Sequence, residues 1–222
     1  MFGFSRSDKK WKKQFGKGRN AGSSGELESA VSYFKRATEI APDEPYPHYE
    51  LAYTLSKLGQ YAEALREFEQ TEKLSRGFFI VQTELFIHQE LLDKRIDEPV
   101  LSKLRQIQKI TDTQGSQHPE IVTFSNEVID KAPEFPLGYY YLGQAVFPGE
   151  RERSENAFKK CMDLSPDETT SIYALNFLAL FAELAGDVET AKKIWVDLLA
   201  RYDGNPHTEM IKMTFKQRGV TI

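Results

Sequence analysis

Leu51-Ala52-Tyr53-Thr54-Leu55-Ser56-Lys57-Leu58-Gly59-Gln60-Tyr61-Ala62-Glu63-Ala64-Leu65-Arg66-Glu67-Phe68 is the stretch that decides the fold. Leu51, Ala52, Leu55 and Leu58 recur at the spacing of one helix face, and Gly59 follows where a left-handed turn would end that helix. Ala64 and Phe68 then mark the facing stripe of a second helix. Small residues stand where two antiparallel helices approach closely, and large ones where they interlock. The same landmarks return at identical spacing as Leu178-Ala179, Ala182, Gly186, Val188, Ala191 and Trp195. Recurrence of so long a phrase identifies a repeat array.

Further copies of the second helix read Ala30, Phe34, Ala37 and Pro42, then Ser154, Phe158, Cys161 and Pro166, with a fainter one at Ile121, Ser125, Val128 and Pro133. This phrasing resembles the tetratricopeptide repeat, in which about 34 residues form one helix pair and neighbouring pairs stack. The resemblance covers most of residues 26–205. It implies an all-α chain, an α-solenoid of stacked antiparallel helix hairpins wound as a right-handed superhelix.

Periodicity and breakers predict helices near 26–41, 45–58, 61–74, 78–93, 97–111, 118–131, 135–147, 150–164, 168–185, 187–202 and 206–218. Pro45, Pro99, Pro119, Pro136 and Pro206 stand near helix starts, where a missing amide hydrogen costs least. Three regions are expected: a basic N-terminal segment, a frayed helix or tail, at 1–25; the array at 26–205, irregular at 78–131; and a capping helix with tail at 206–222. The cap would turn Met210, Ile211 and Met213 or Phe215 inward.

The chain has 222 residues, 40% of them hydrophobic, yet no apolar run long enough to span a bilayer. One cysteine, Cys161, excludes an internal disulfide and reads as a buried structural thiol. The first residues lack the apolar stretch of a secretory signal, so the expected location is cytoplasmic. Charge is divided unevenly. Residues 1–20 hold seven cations against Asp8 alone, a balance of +6, which leaves −10 for the rest of the chain. Phe2, Phe4, Trp11 and Phe15 interleave with those cations, while Gly16, Gly18, Gly22 and Gly25 are expected to weaken any helix running past them.

His48, His88, His118 and His207 lie in separate segments, none at the spacing of a metal site or catalytic triad, and no phosphate loop occurs. Neither an enzymatic activity nor a cofactor is expected.

Function therefore falls to the surfaces that stacking creates. Opposite the stripe of Leu51 lie Tyr46, Tyr49, Tyr53 and Ser56. The same offsets select Leu137, Tyr140, Gln144 and Phe147 with Tyr141 alongside, and Tyr173, Asn176, Leu180 and Glu183 with Phe177 alongside. In tetratricopeptide arrays the first helix of each pair lines the concave wall, so the resemblance implies that these residues face a groove. Tyrosine offers wide contact at small entropic cost, and Gln144 or Asn176 could pair with an extended backbone. One branch of the family clamps a C-terminal carboxylate with Lys, Asn and Arg. At the matching positions this chain carries Glu50, Tyr53, Phe15 and Arg19, and Glu50 would repel such a ligand. The expected role is a non-catalytic adaptor that grips a peptide segment or helix of another protein. The alternative is a peripheral anchor whose basic N-terminus holds the array at a membrane surface, or less plausibly at nucleic acid.

Overall fold

The computed structural model describes residues 6–218. Phe2 and Phe4, and the last residues of the expected tail, lie outside the described residues. Among those described there are twelve helices and no strand. The chain forms two compact units, residues 1–92 and 93–222.

The first unit contains α1 (Arg6–Ser23), α2 (Leu27–Ile40), α3 (Pro45–Lys57), α4 (Tyr61–Leu74) and α5 (Val81–Leu92). α1 pairs with α2 and α3 with α4, while α2 packs on α3 and α5 on α4. Gly59, at φ 73°, makes the expected left-handed turn between α3 and α4. The N-terminal segment corrects the sequence reading. α1 runs unbroken through Gly16, Gly18 and Gly22 because Trp11, Phe15, Gly18 and Ala21 face α2, and a Cβ on Gly18 would lie 2.6 Å from the ring of Phe34. Glycine here allows close approach, and the tertiary packing gained outweighs its poor helix propensity.

The second unit contains α6 (Glu98–Gln114), α7 (Pro119–Lys131), α8 (Pro136–Val146), α9 (Arg151–Asp163), α10 (Glu168–Leu184), α11 (Val188–Arg201) and α12 (Pro206–Arg218). Three hairpins, α6–α7, α8–α9 and α10–α11, stack in order, and α12 packs on α10 and α11. The segment whose pairing was open in the sequence thus divides into α5, which closes on α4, and the α6–α7 hairpin. In α12, Ile211 and Phe215 turn inward, with Phe215 edge-on to Trp195 at 4.8 Å. Met210 and Met213 are exposed, which corrects the expectation for Met210: Thr208, Ile211 and Phe215, at i, i+3 and i+7, define the inner stripe.

Every second helix buries the same three positions, i, i+4 and i+7. They are Ala30, Phe34 and Ala37 in α2; Ala64, Phe68 and Thr71 in α4; Ile121, Ser125 and Val128 in α7; Ser154, Phe158 and Cys161 in α9; and Ala191, Trp195 and Leu198 in α11. Of the polar members, Thr71 Oγ1 donates to the Glu67 carbonyl and Ser154 Oγ to the Gly143 carbonyl, at 2.8 and 2.6 Å, whereas the Ser125 hydroxyl is buried without a hydrogen-bond partner. Burial also pushes the Cys161 thiol far above its ordinary range, consistent with an inert packing residue.

Candidate partner-binding site

In the first unit the side chains of α1, α3 and the turn before α5 form a continuous aromatic wall. Tyr46 lies 6.4 Å from Phe15, 4.7 Å from Phe78 and 5.8 Å from Phe79, between ring centroids. Tyr49 meets Phe78 and Phe79 at 5.8 and 5.4 Å and stacks on Tyr53 at 6.4 Å. Most pairs are edge-to-face, the arrangement that ring quadrupoles favour. Tyr46 remains 44% exposed and Phe79 52% exposed, so the wall is open on one side.

Phe79 is held there by its backbone. Its φ of 50° lies in the left-handed region, which a bulky side chain seldom adopts. The neighbouring Glu72 carboxylate accepts hydrogen bonds from the Gly77 amide at 2.8 Å and from Gln82 Nε2 at 2.9 Å, tying the turn to both flanking helices. The expected helix start at 78 is therefore displaced to Val81, because Phe78 and Phe79 belong to this turn.

Charge accompanies the rings. Burial pushes the Glu50 carboxyl above its ordinary range, opposed by the charges of Arg19 and Lys57, and Lys57 also lies over the Tyr53 ring at 5.1 Å. Ser56, expected beside the tyrosines, instead points inward and hydrogen-bonds His88 Nε2 at 2.9 Å. That contact belongs to a buried Ser56–His88–Glu84 network, in which His88 Nδ1 donates to the Glu84 carbonyl at 2.7 Å. The residue types are those of a hydrolytic triad, but His88 and Glu84 are wholly enclosed, leaving no room for a substrate. Sequence spacing gave no hint of it, since folding joins residues 32 apart.

In the second unit the equivalent residues serve the protein's own packing. Leu137 is fully buried and Tyr141 nearly so, and neither can line an open wall. Gln144 Nε2 donates to the Tyr140 hydroxyl at 3.0 Å, and burial pushes that phenol well above its ordinary range. Asn176, expected to pair with an extended backbone, accepts from Trp195 Nε1 at 3.0 Å. Phe177 stacks on Phe158 at 4.6 Å and meets Phe147 at 5.2 Å, while the Tyr173 hydroxyl and His207 Nδ1 share a hydrogen bond of 2.9 Å. Leu180 packs against the cluster around Trp195. The facing helices thus occupy much of the face that the helical wheel selects in this unit.

No group of three His, Cys, Asp or Glu side chains among the described residues could hold a metal ion, and no described helix is long and apolar enough to cross a membrane.

Tetratricopeptide-repeat models match residues 33–66 and 14–44, so the N-terminal match takes in the second half of α1. Residues 14–66 carry tetratricopeptide repeats. Of solved structures, the flexible tandem repeat domain of a bacterial cellulose synthase is 15% identical, with a TM-score of 0.62 over 90% of this chain and 95% of that one. MamA from Desulfovibrio magneticus RS-1 is 21% identical over 91% of this chain and 100% of that one, with a TM-score of 0.39. The TPR2AB domain of yeast Sti1, in complex with pHSP90, is 12% identical over 94% and 98%, with a TM-score of 0.45. No curated protein matches the sequence. The helix hairpins and the first of these neighbours agree on an all-α solenoid, and the tetratricopeptide repeats matched within residues 14–66 are of a kind that serves as a protein–protein interaction scaffold.

Proposed function

We propose that the protein is a non-catalytic adaptor and that the aromatic wall of its first unit grips a segment of a partner protein. The observation that carries this reading is the joint exposure of Tyr46 and Phe79 on a bed of rings, with Phe79 fixed in a left-handed backbone by the Glu72 turn. Exposed aromatics on a rigid support are the usual anchors of protein recognition, because little side-chain entropy is lost on binding. A half-buried carboxylate at Glu50 supports selection against ligands that end in a carboxylate. Among the residues first selected from the sequence, Tyr46, Tyr49 and Tyr53 belong to the proposed site. Tyr140, Tyr173, Phe177 and Leu180, engaged in the packing of the second unit, are not part of it.

The test is affinity capture with the wild type and with Tyr46→Ser/Phe79→Asn, followed by hydrogen exchange on the complex with any partner retained. Protection at residues 46–53 and 78–80, lost with binding in the variant, is the expected result. Protection elsewhere with undiminished capture would sink the proposal.

A further inference from the structure

We propose that the outer face of α1 docks on an anionic phospholipid surface, independently of the aromatic wall. On a helical wheel Trp11, Phe15, Gly18 and Ala21 point to α2, and Lys9, Lys10, Lys12, Lys13, Lys17 and Arg19 fan across the opposite half-turn, all exposed. Lys12 and Lys17 lean over the rings of Trp11 and Tyr33, at 5.5 and 5.4 Å, and Arg19 acts on Glu50. Lys9, Lys10 and Lys13 form no ion pair among the described residues. A helix carrying four to eight such cations on one face binds anionic lipid, each contributing on the order of 1 kcal/mol near the surface.

Charge complementarity selects the occupant. Residues 21–92 carry twelve acidic and six basic side chains, so the first unit is a strong dipole with its positive pole on its terminal helix. A planar anionic surface engages that pole and leaves the acidic remainder in solvent. Nucleic acid is the poorer fit, because Trp11 and Phe15 are turned inward and offer bases no stacking platform, and five of the six cations are lysines, which lack the guanidinium fork. The inward aromatics also mean that attachment is electrostatic, with no hydrophobic insertion by Trp11 or Phe15.

The experiment is flotation of the full chain with phosphatidylcholine vesicles, with and without about one-third phosphatidylserine. Expected is binding to the anionic vesicles alone, lost between about 0.05 M and about 0.5 M salt. Lys9→Gln/Lys10→Gln/Lys13→Gln should weaken it on the order of a hundredfold, while the triple Arg variant retains it. Absence of binding to anionic vesicles at low salt, equal binding to neutral ones, or a Gln variant that binds like wild type would each overturn the proposal. Tighter binding to a short RNA or DNA duplex than to vesicles, at equal phosphate concentration, would reassign the face to nucleic acid.

Discussion

The ring of Phe34 occupies the space that a side chain at Gly18 would need: a Cβ built on Gly18 comes within 2.6 Å of its edge. Gly143 stands in the same relation to Phe158, at 2.9 Å. In both cases the first helix of a pair contributes the glycine and the second contributes the phenylalanine, so the seams of two hairpins are built on one device.

Gly16 and Gly18 lie in the same helix and should respond to alanine in opposite directions. Around Gly16 nothing lies within 4 Å, so Gly16→Ala gains helix propensity and should stabilise by about 1 kcal/mol. At Gly18 the same gain is outweighed by a clash with a fully buried ring, and Gly18→Ala should cost about 1–3 kcal/mol net of it. Urea denaturation of the two variants decides this, and equal signs would refute the packing account of α1.

Phe79→Asn separates folding from recognition. Asparagine tolerates the left-handed backbone, so relieved strain offsets part of the lost ring contacts, and stability should change by no more than about 1 kcal/mol. Partner binding should fall at least tenfold, as for the loss of an anchoring aromatic. The measurement is thermal unfolding beside titration calorimetry on any captured partner.

Glu50 makes stability depend on pH with a definite sign. Its folded-state pKa lies above the 4.5 of an ordinary glutamate, and burial is the largest cause. Folding therefore favours the protonated form, a preference fully present below pH 4.5 and lost as pH rises through the folded value. Glu50→Gln should leave stability nearly unchanged at the acid end of that window and raise it above the window. A variant less stable than wild type at neutral pH would show that Arg19 and Lys57 outweigh desolvation.

Asp167 caps α10, accepting from the Thr170 amide at 3.1 Å and the Thr170 hydroxyl at 2.6 Å. Asp167→Ala should cost about 1 kcal/mol, with Asp167→Asn recovering most of it. Chemical denaturation of the pair measures both effects.

The helices were legible in the sequence because breakers and apolar spacing agree: prolines stand at the starts of α3, α7, α8 and α12, and Gly59 and Gly186 turn left-handed where the phrase required. α1 was misjudged because glycine is read by local propensity as a breaker, whereas its value at position 18 depends on a ring 16 residues away. Helix existence is a local property; whether a face is free is not. Tyr49 and Tyr140 lie on the predicted faces, but their neighbours come from the 75–80 turn and from α9, whose placement no single-helix pattern encodes. Ser56 was assigned outward by the same wheel because its partner, His88, lies two helices along, on α5.

A chain made of near-copies faces a hazard that a non-repetitive one does not, since a hairpin that closes on the wrong neighbour can still bury a passable stripe of alanine and phenylalanine. The Ser56–His88 bond guards against this in the first unit. Any arrangement that skips α4 or offers α5 a different shelf strands an imidazole in apolar surroundings, at about 1–3 kcal/mol, a penalty that apolar substitutes for the pair would not impose. A buried polar contact of this kind thus adds less to the strength of the stack than to the cost of assembling it out of order.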